Sequence, residues 1–386
     1  MKITKRLKQL PPYLFAEIDR IKRSMREKGI DLIDLGIGDP DQPTPAHIVD
    51  SLCRAAHVPA NHRYALDQGL LEFRTAVSRW YKKRFNVELD PHHEIYPLIG
   101  SKEGIAHLPL AFIDPQEIAL IPDPCYPPYK SGAILAGGKP YLLPLRPKNN
   151  FLPDFKKISS SILKKARIFF LNYPNNPTAS ICPEEFYKDV IRFAQRNKIL
   201  ICHDAAYSEI SFDTYRAPSF LEFPGAKEVG IEFHSLSKTY NMTGWRIGWV
   251  CGNREAVGAL GKVKTNIDSG IFQAIQIAGI SALEGDQSHI EQMNAIYRTR
   301  RDCLIEGLRK IGWEIKKPLA TFYIWAPLPK PHYSSIKFAK LILEEANVVV
   351  TPGVGFGKAG EGFVRFSLTN SVERISEAIE RIKKVL

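Results

Sequence analysis

The chain has no apolar run long enough to span a bilayer, and its basic N-terminus, MKITKRLKQLPPYLF, has no apolar centre of the kind a secretory signal needs. A cytoplasmic protein is therefore expected. The six cysteines, Cys53, Cys125, Cys182, Cys202, Cys251 and Cys303, form no CxxC pair and take no zinc-like spacing with histidine. This argues against a redox dithiol or a zinc finger and leaves reduced, structural thiols. There is no His-Glu-Cys cluster to hold a metal, no GxSxG elbow, no internal repeat and no low-complexity segment. The glycine-rich stretch TPGVGFG, residues 351–357, lacks the Lys-Ser/Thr ending of a P-loop and the strand-to-helix setting of a dinucleotide site, so it reads as a shaped turn.

What is present is the composition of an ordinary globular enzyme: 386 residues, 44% hydrophobic and 24% charged. A chain of this length forms two or three folding units and buries roughly three quarters of its unfolded surface. The net charge is +12, but the bases alternate with acids along amphipathic stretches such as 70–85 and 371–386. That spacing describes solvated helix faces rather than a clustered nucleic-acid surface, and the positive field attracts acidic small molecules.

From about residue 94, strand-like apolar runs (94–99, 117–121, 139–143, 167–171, 199–203, 231–236, 247–251) alternate with amphipathic helices. The alternation predicts an α/β fold with a mostly parallel sheet covered by helices. A long charged helix over 291–310, strands over 313–315, 321–325 and 363–368, and a terminal helix predict a smaller α+β unit. The N-terminal segment offers a helix over 12–28 and a strand over 32–35. The expected division is 1–40 packing with the small unit, 41–288 as the large unit and 289–386 as the small one.

The chemistry concentrates at strand ends. In SLSKTYNMTGWRIG, residues 235–248, Lys238 follows an apolar strand, where α/β folds bind ligands. A desolvated lysine beside a second cation becomes nucleophilic, and Arg246 offers both that cation and a planar fork for a phosphate. Ser235 and Ser237 add hydroxyls. In LIGSKEGI, Ser101 and Lys102 open a helix whose free N–H groups attract a phosphate, although a serine there also serves as a plain cap; Pro109 predicts that this helix is short or kinked. In ILICHDAAYSEI, Asp204 ends a strand where a carboxylate can keep a pyridinium nitrogen protonated, or can simply cap the next helix. Tyr207, three residues on, and Asn176 in LNYPNNPTA can bond a phenolic oxygen. Tyr126, between prolines in DPCYPPY, suits stacking on a flat ring. Arg365, a lone cation in the apolar strand FVRFSLT, must meet an anion, either a substrate carboxylate or an internal partner.

The order NNPT, Asp204 with Tyr207, SLSK with Arg246, and then Arg365 resembles the fold-type I pyridoxal phosphate enzymes, in particular the class I/II aminotransferases. The resemblance covers nearly the whole chain and implies a large domain with a seven-stranded, mostly parallel sheet plus a smaller α+β domain. It implies that Lys238 bonds the cofactor and moves the substrate α-proton, and that Asp204 pairs with the pyridine nitrogen. Asn176 and Tyr207 hold the 3-oxygen, Tyr126 stacks on the ring, and Ser101, Lys102, Ser235, Ser237 and Arg246 bind the phosphate of pyridoxal 5'-phosphate. Arg365 and the backbone at Gly38 take the substrate carboxylate. Tyr64 reaches the cofactor phosphate of a second subunit, which implies a homodimer with shared sites.

Several stretches, LPPYLFAEIDR, DLGIGDPDQPTP, DAAYSEI, RAPSFLE and NIDSGIFQAIQ, are similar to the LL-diaminopimelate aminotransferase family. That likeness implies tetrahydrodipicolinate and glutamate as substrates, with Tyr13, Ile37, Gly38, Asn266 and, from the partner subunit, Asp67 as substrate contacts. Asp67 departs from a family glutamate and Ala179 from a glycine. Two other readings stand beside this one: a different enzyme on the same scaffold (an aspartate, aromatic or alanine aminotransferase, or a carbon–sulfur lyase), and a non-enzymatic ligand sensor.

Overall fold

The computed structural model describes residues 2–10, 15–330 and 334–386. Seven strands form the main sheet: β2 (Ile95–Leu98), β3 (Ile118–Asp123), β4 (Lys139–Pro144), β5 (Ala166–Leu171), β6 (Leu200–Asp204), β7 (Gly230–Ser235) and β8 (Gly248–Gly252). Their order across the sheet is β2-β8-β7-β6-β5-β3-β4, and β8 alone runs against its neighbours. The central strands are covered on both faces, which is why IALIPD, ARIFFL and LICHD are near-continuous apolar runs rather than alternating ones. Ile118 and Leu120 point into one core with Ile201, while Ala119 and Ile121 point into the opposite one with Cys202 and Phe233.

The covering helices are set by caps and charge. Glu184–Asn197 opens on Glu184 and Glu185, buries Phe186, Val190, Ile191 and Ala194 along one stripe, and stops where Lys198 turns left-handed at φ 53°. The helix Ser101–Phe112 holds Pro109 inside its last turn and runs to 12 residues, so the proline does not make it short.

A third core gathers residues from both ends of the chain. Here β1 (Ile33–Asp34) pairs in parallel with β10 (Val348–Val349), and β11 (Thr351–Pro352), β12 (Phe363–Ser367) and β9 (Tyr323–Pro327) form an antiparallel sheet. The helices Ser288–Lys310, Ser335–Ala346 and Val372–Lys383 pack on these strands, and Ile33 and Leu35 are buried in the same cluster. The strand expected over 313–315 is not formed. Trp313 is buried between Phe338 and Phe366, and its indole N–H donates to Pro327 O at 2.7 Å, so packing rather than a ladder accounts for its apolar character. Among the described residues no helix is long and apolar enough to cross a membrane.

Connections from β3 run outward to β4, whereas those from β5 run the other way to β6 and β7. The order therefore reverses between β3 and β5, and the carboxyl ends of β3, β5, β6 and β7 converge on a crevice, the usual place for a ligand in an open α/β sheet.

Candidate functional site

That crevice opens into a cavity of about 680 Å³ lined by distant segments of the chain. From the segments around the main sheet come Ser101, Lys102, Tyr126, Asn176, Asp204, Tyr207, Ser235, Ser237, Lys238 and Arg246; from the N-terminal segment and β12 come Ile37, Gly38 and Arg365. Thirteen of the seventeen residues singled out in the sequence thus meet in one place.

Lys238 lies on the single turn Leu236–Thr239 that follows β7, started by Ser235 Oγ, which accepts from the Ser237 N–H at 3.2 Å. Its Nζ donates to Gly38 O at 3.1 Å. Burial pulls the ammonium down to about 8; the carboxylate of Asp39 opposes this, and Arg246 and Arg365 reinforce it. Burial, with two arginines beside it, thus makes the Lys238 amine a base near neutrality.

The anion cradle is built from backbone as much as from side chains. Arg246, in left-handed conformation at φ 56°, donates to Thr243 O at 2.7 Å and reaches back to Ile99 O at 3.4 Å. This brings its Nη2 to where a Cβ on Gly100 would stand only 2.2 Å away, so the chain has glycine there, at φ 74°. Beyond Gly100 the first turn of Ser101–Phe112 presents free N–H groups toward the same space, beside the hydroxyls of Ser235 and Ser237. Gly38 is equally constrained, since a Cβ would come within 2.0 Å of Tyr323 Oη.

Asp204 ends β6 as a buried carboxylate whose Oδ2 accepts from Tyr129 Oη at 2.7 Å and whose Oδ1 accepts from the Ala206 N–H at 3.3 Å. Burial raises its carboxyl, and the Tyr129 hydrogen bond works against the rise. Asn172 donates to Asp204 O at 2.7 Å and accepts from the Asn176 N–H at 2.7 Å, fixing both neighbours. Tyr207 and Tyr323 share a hydroxyl contact of 3.0 Å.

Arg365 donates from Nη1 to Asn176 Oδ1 at 2.8 Å and from Nη2 to Gly36 O at 2.9 Å, and its guanidinium lies over the rings of Tyr323 and Phe356 at 4.1 and 4.6 Å. Its Nε is buried without a hydrogen-bond partner, and no carboxylate among the described residues pairs with it. A guanidinium that lines a cavity with no carboxylate partner among the described residues is arranged to receive an anion from outside the chain.

These features fit a flat ring that carries a phosphate at one end and a basic nitrogen at the other: a cradle where Gly100 lets the Arg246 guanidinium lie close to the backbone, an aromatic wall at Tyr126 and a buried carboxylate at Asp204. Glu103, His107 and Asp268 also lie together, but Lys264 Nζ sits among them, at 3.4 Å from Glu103 and 2.5 Å from Asp268, and the group is an internal ion network.

Four residues are not brought into this cavity. Tyr64 is 93% exposed, and neither it nor Asp67 lines the wall of its own chain's site. Asn266 follows the helix Arg254–Lys264, turns its amide back to Lys262 O at 2.8 Å, and borders a separate shallow hollow with Leu110 and Ile267, so the expected substrate contact is not made within the chain. Tyr13 lies outside the described residues. Sequence reasoning passed over Tyr129, Asn172, Tyr323 and Asp39. Of these, Tyr129 was legible: it stands three residues after Tyr126 in DPCYPPY, in the first turn of the helix Pro127–Leu135 that Tyr126 precedes. The glycine-rich stretch packs against the end of β3: Phe356 O accepts from the Cys125 N–H at 2.9 Å, and a Cβ on Gly357 would collide with Asp123 at 1.6 Å.

The sequence matches the family described as aminotransferase class I and II over residues 30–382. It is 53% identical over its full length to a protein from Moorella thermoacetica named LL-diaminopimelate aminotransferase, covering 99% of that relative. It is 55% identical to one of the same name from Halothermothrix orenii, with 98% of this chain and 97% of the relative covered. Among solved structures it superposes on apo-BacF from Bacillus subtilis with a TM-score of 0.96 at 38% identity, covering 100% of this chain and 99% of the other.

Proposed function

The chain belongs to the class I and II aminotransferases, and from that premise we propose that it interconverts tetrahydrodipicolinate plus glutamate with LL-diaminopimelate plus 2-oxoglutarate, using pyridoxal 5'-phosphate. The observation that carries the substrate assignment is 53–55% identity, spread over 98–100% of the chain, with relatives bearing that enzyme's name.

When bound, pyridoxal phosphate supplies a carbonyl for the substrate amine and an electron-poor ring that spreads the charge left at the α-carbon. The chain's own groups do the rest. Arg246, Ser101, Lys102, Ser235 and Ser237 would hold the phosphate, Tyr126 the ring face, and Asn176 and Tyr207 the 3-oxygen. Asp204 holds a proton on the ring nitrogen. Arg365 orients the substrate α-carboxylate, with the Gly38 backbone beside it, and the Lys238 amine takes the proton from the substrate α-carbon. An amine with a value near 8 is matched to that task, because an appreciable fraction is neutral at physiological pH.

The same reading includes the division of the chain at about residues 40 and 288, and a homodimer. The exposed apolar residues Tyr64, Leu66, Ile267 and Phe272 flank the segments that stay outside their own cavity, which supports Tyr64, Asp67 and Asn266 serving the partner's site. Six unpaired thiols suit a reducing cytoplasm. The test is steady-state turnover of LL-diaminopimelate with 2-oxoglutarate, followed by glutamate formation. Robust turnover with this pair is expected, and activity confined to aspartate or to an aromatic amino acid would overturn the assignment.

A further inference from the structure

Tyr129 has no part in the assignment above, yet it touches the residue on which that assignment depends. The side chain is only 1% exposed, and its ring lies flat against Phe170, with centroids 4.9 Å apart and planes inclined by 10°. Its hydroxyl donates to Asp204 Oδ2 at 2.7 Å, against 3.3 Å for the backbone contact to the other carboxylate oxygen. Among the described residues no lysine or arginine forms an ion pair with Asp204. The phenol is thus the strongest donor Asp204 has within the chain, and an O–H···O⁻ bond in a buried site both fixes the carboxyl plane and favours the ionised form.

We propose that Tyr129 is a positioning residue of the active site: its hydroxyl, held in place by the stack on Phe170, orients Asp204 and keeps it ionised for the ring nitrogen of the cofactor. This rests on the reading of the cavity as a pyridoxal phosphate site. Burial raises the Tyr129 phenol well above its ordinary value, so the phenol remains a donor across the working pH range. The other titratable groups near Asp204 are Tyr126 and Tyr207 on the cavity side, Cys202 on its own strand, and His203 and His234 on the opposite face of the sheet. Both histidines are engaged by Glu232, at 2.8 and 3.1 Å, and are not free to replace the phenol.

The test compares the full-length wild type with Tyr129→Phe, which removes one oxygen from an intact ring. The affinity of cofactor-free protein for pyridoxal phosphate, the pH profile of kcat and KM for glutamate are measured, and then repeated in an Asp204→Asn background. Loss of a hydrogen bond to a charged group predicts binding weaker by about tenfold or more. The acid limb of kcat moves to higher pH, and KM for glutamate stays within about twofold. In the Asp204→Asn background the same substitution has almost no effect, because the two residues act as one unit. Phe170→Leu, which keeps the hydroxyl but frees the ring, gives the same pattern at smaller size and serves if Tyr129→Phe does not fold. Unchanged affinity and pH profile, or equal losses with and without Asp204, would overturn the proposal while leaving the assignment intact. Failure of the wild type to bind pyridoxal phosphate would overturn both.

Discussion

The amine of Lys238 concentrates the chemistry in a single titration. Its value near 8, against 10.5 for the unfolded chain, follows from burial with two arginines close by. In the cofactor-free protein, therefore, the rate of modification by an amine reagent should reach half its maximum near pH 8, and a midpoint above 10 would contradict the geometry. The sign for stability follows from proton linkage. The unfolded chain keeps this proton longer, so the cofactor-free protein gains stability relative to Lys238→Met as pH rises from about 8 toward 10.5. Lys238→Ala should purify folded but give neither turnover nor the visible absorption of lysine-bound cofactor, and normal turnover would refute its role. At the distal end of the substrate, Asp67→Asn should cost diaminopimelate about 1.5–3 kcal/mol in kcat/KM while sparing glutamate, which has no second ammonium. Equal losses for both substrates would remove Asp67 from recognition.

At the scale of elements, the site depends on turns that position side chains from strand ends. Gly100→Ala places a Cβ 2.2 Å from Arg246 Nη2 and holds alanine at φ 74° and ψ 153°, a region almost confined to glycine that costs about 1–3 kcal/mol. The variant should lose stability by about that amount in a denaturant titration and bind pyridoxal phosphate about tenfold more weakly; unchanged affinity would mean Arg246 does not bind the phosphate. Elements of this kind differ in how far a sequence reveals them. The main-sheet strands were legible because burial on both faces leaves apolar runs such as ARIFFL, and Lys238, Asp204 and Arg246 were legible because polar residues stand at the ends of such runs. The strand expected over 32–35 is present as β1, whereas its two-residue partner β10 carries no periodicity and forms only because distant segments meet. Trp313 misled because its apolar surroundings reflect packing against Phe338 and Phe366 rather than a strand. Tyr323, which walls the cavity beside Gly38, is placed by the antiparallel pairing of β9 with β12, and no local pattern announces it.

At the scale of the whole molecule, one chain provides a cavity with most of its walls and presents Tyr64, Leu66 and Asp67 outside it. If two chains complete each other's sites, then Lys238→Ala and a Tyr64→Phe, Asp67→Asn double variant, each impaired alone, should complement after subunit exchange. Equal mixing gives about half heterodimers, each with one native site, so activity with diaminopimelate should recover to roughly a quarter of the wild type; no recovery, with exchange verified by mass, would show that the sites are not shared. The central claim, that this aminotransferase handles diaminopimelate, is tested most directly by a single-turnover half-reaction. The protein loaded with pyridoxal phosphate is mixed separately with LL-diaminopimelate, glutamate, aspartate, tyrosine and alanine, and loss of the visible band is followed. Rapid loss with LL-diaminopimelate and glutamate, and slow loss with the other three, is the predicted result; a band discharged best by aspartate or tyrosine would contradict the claim.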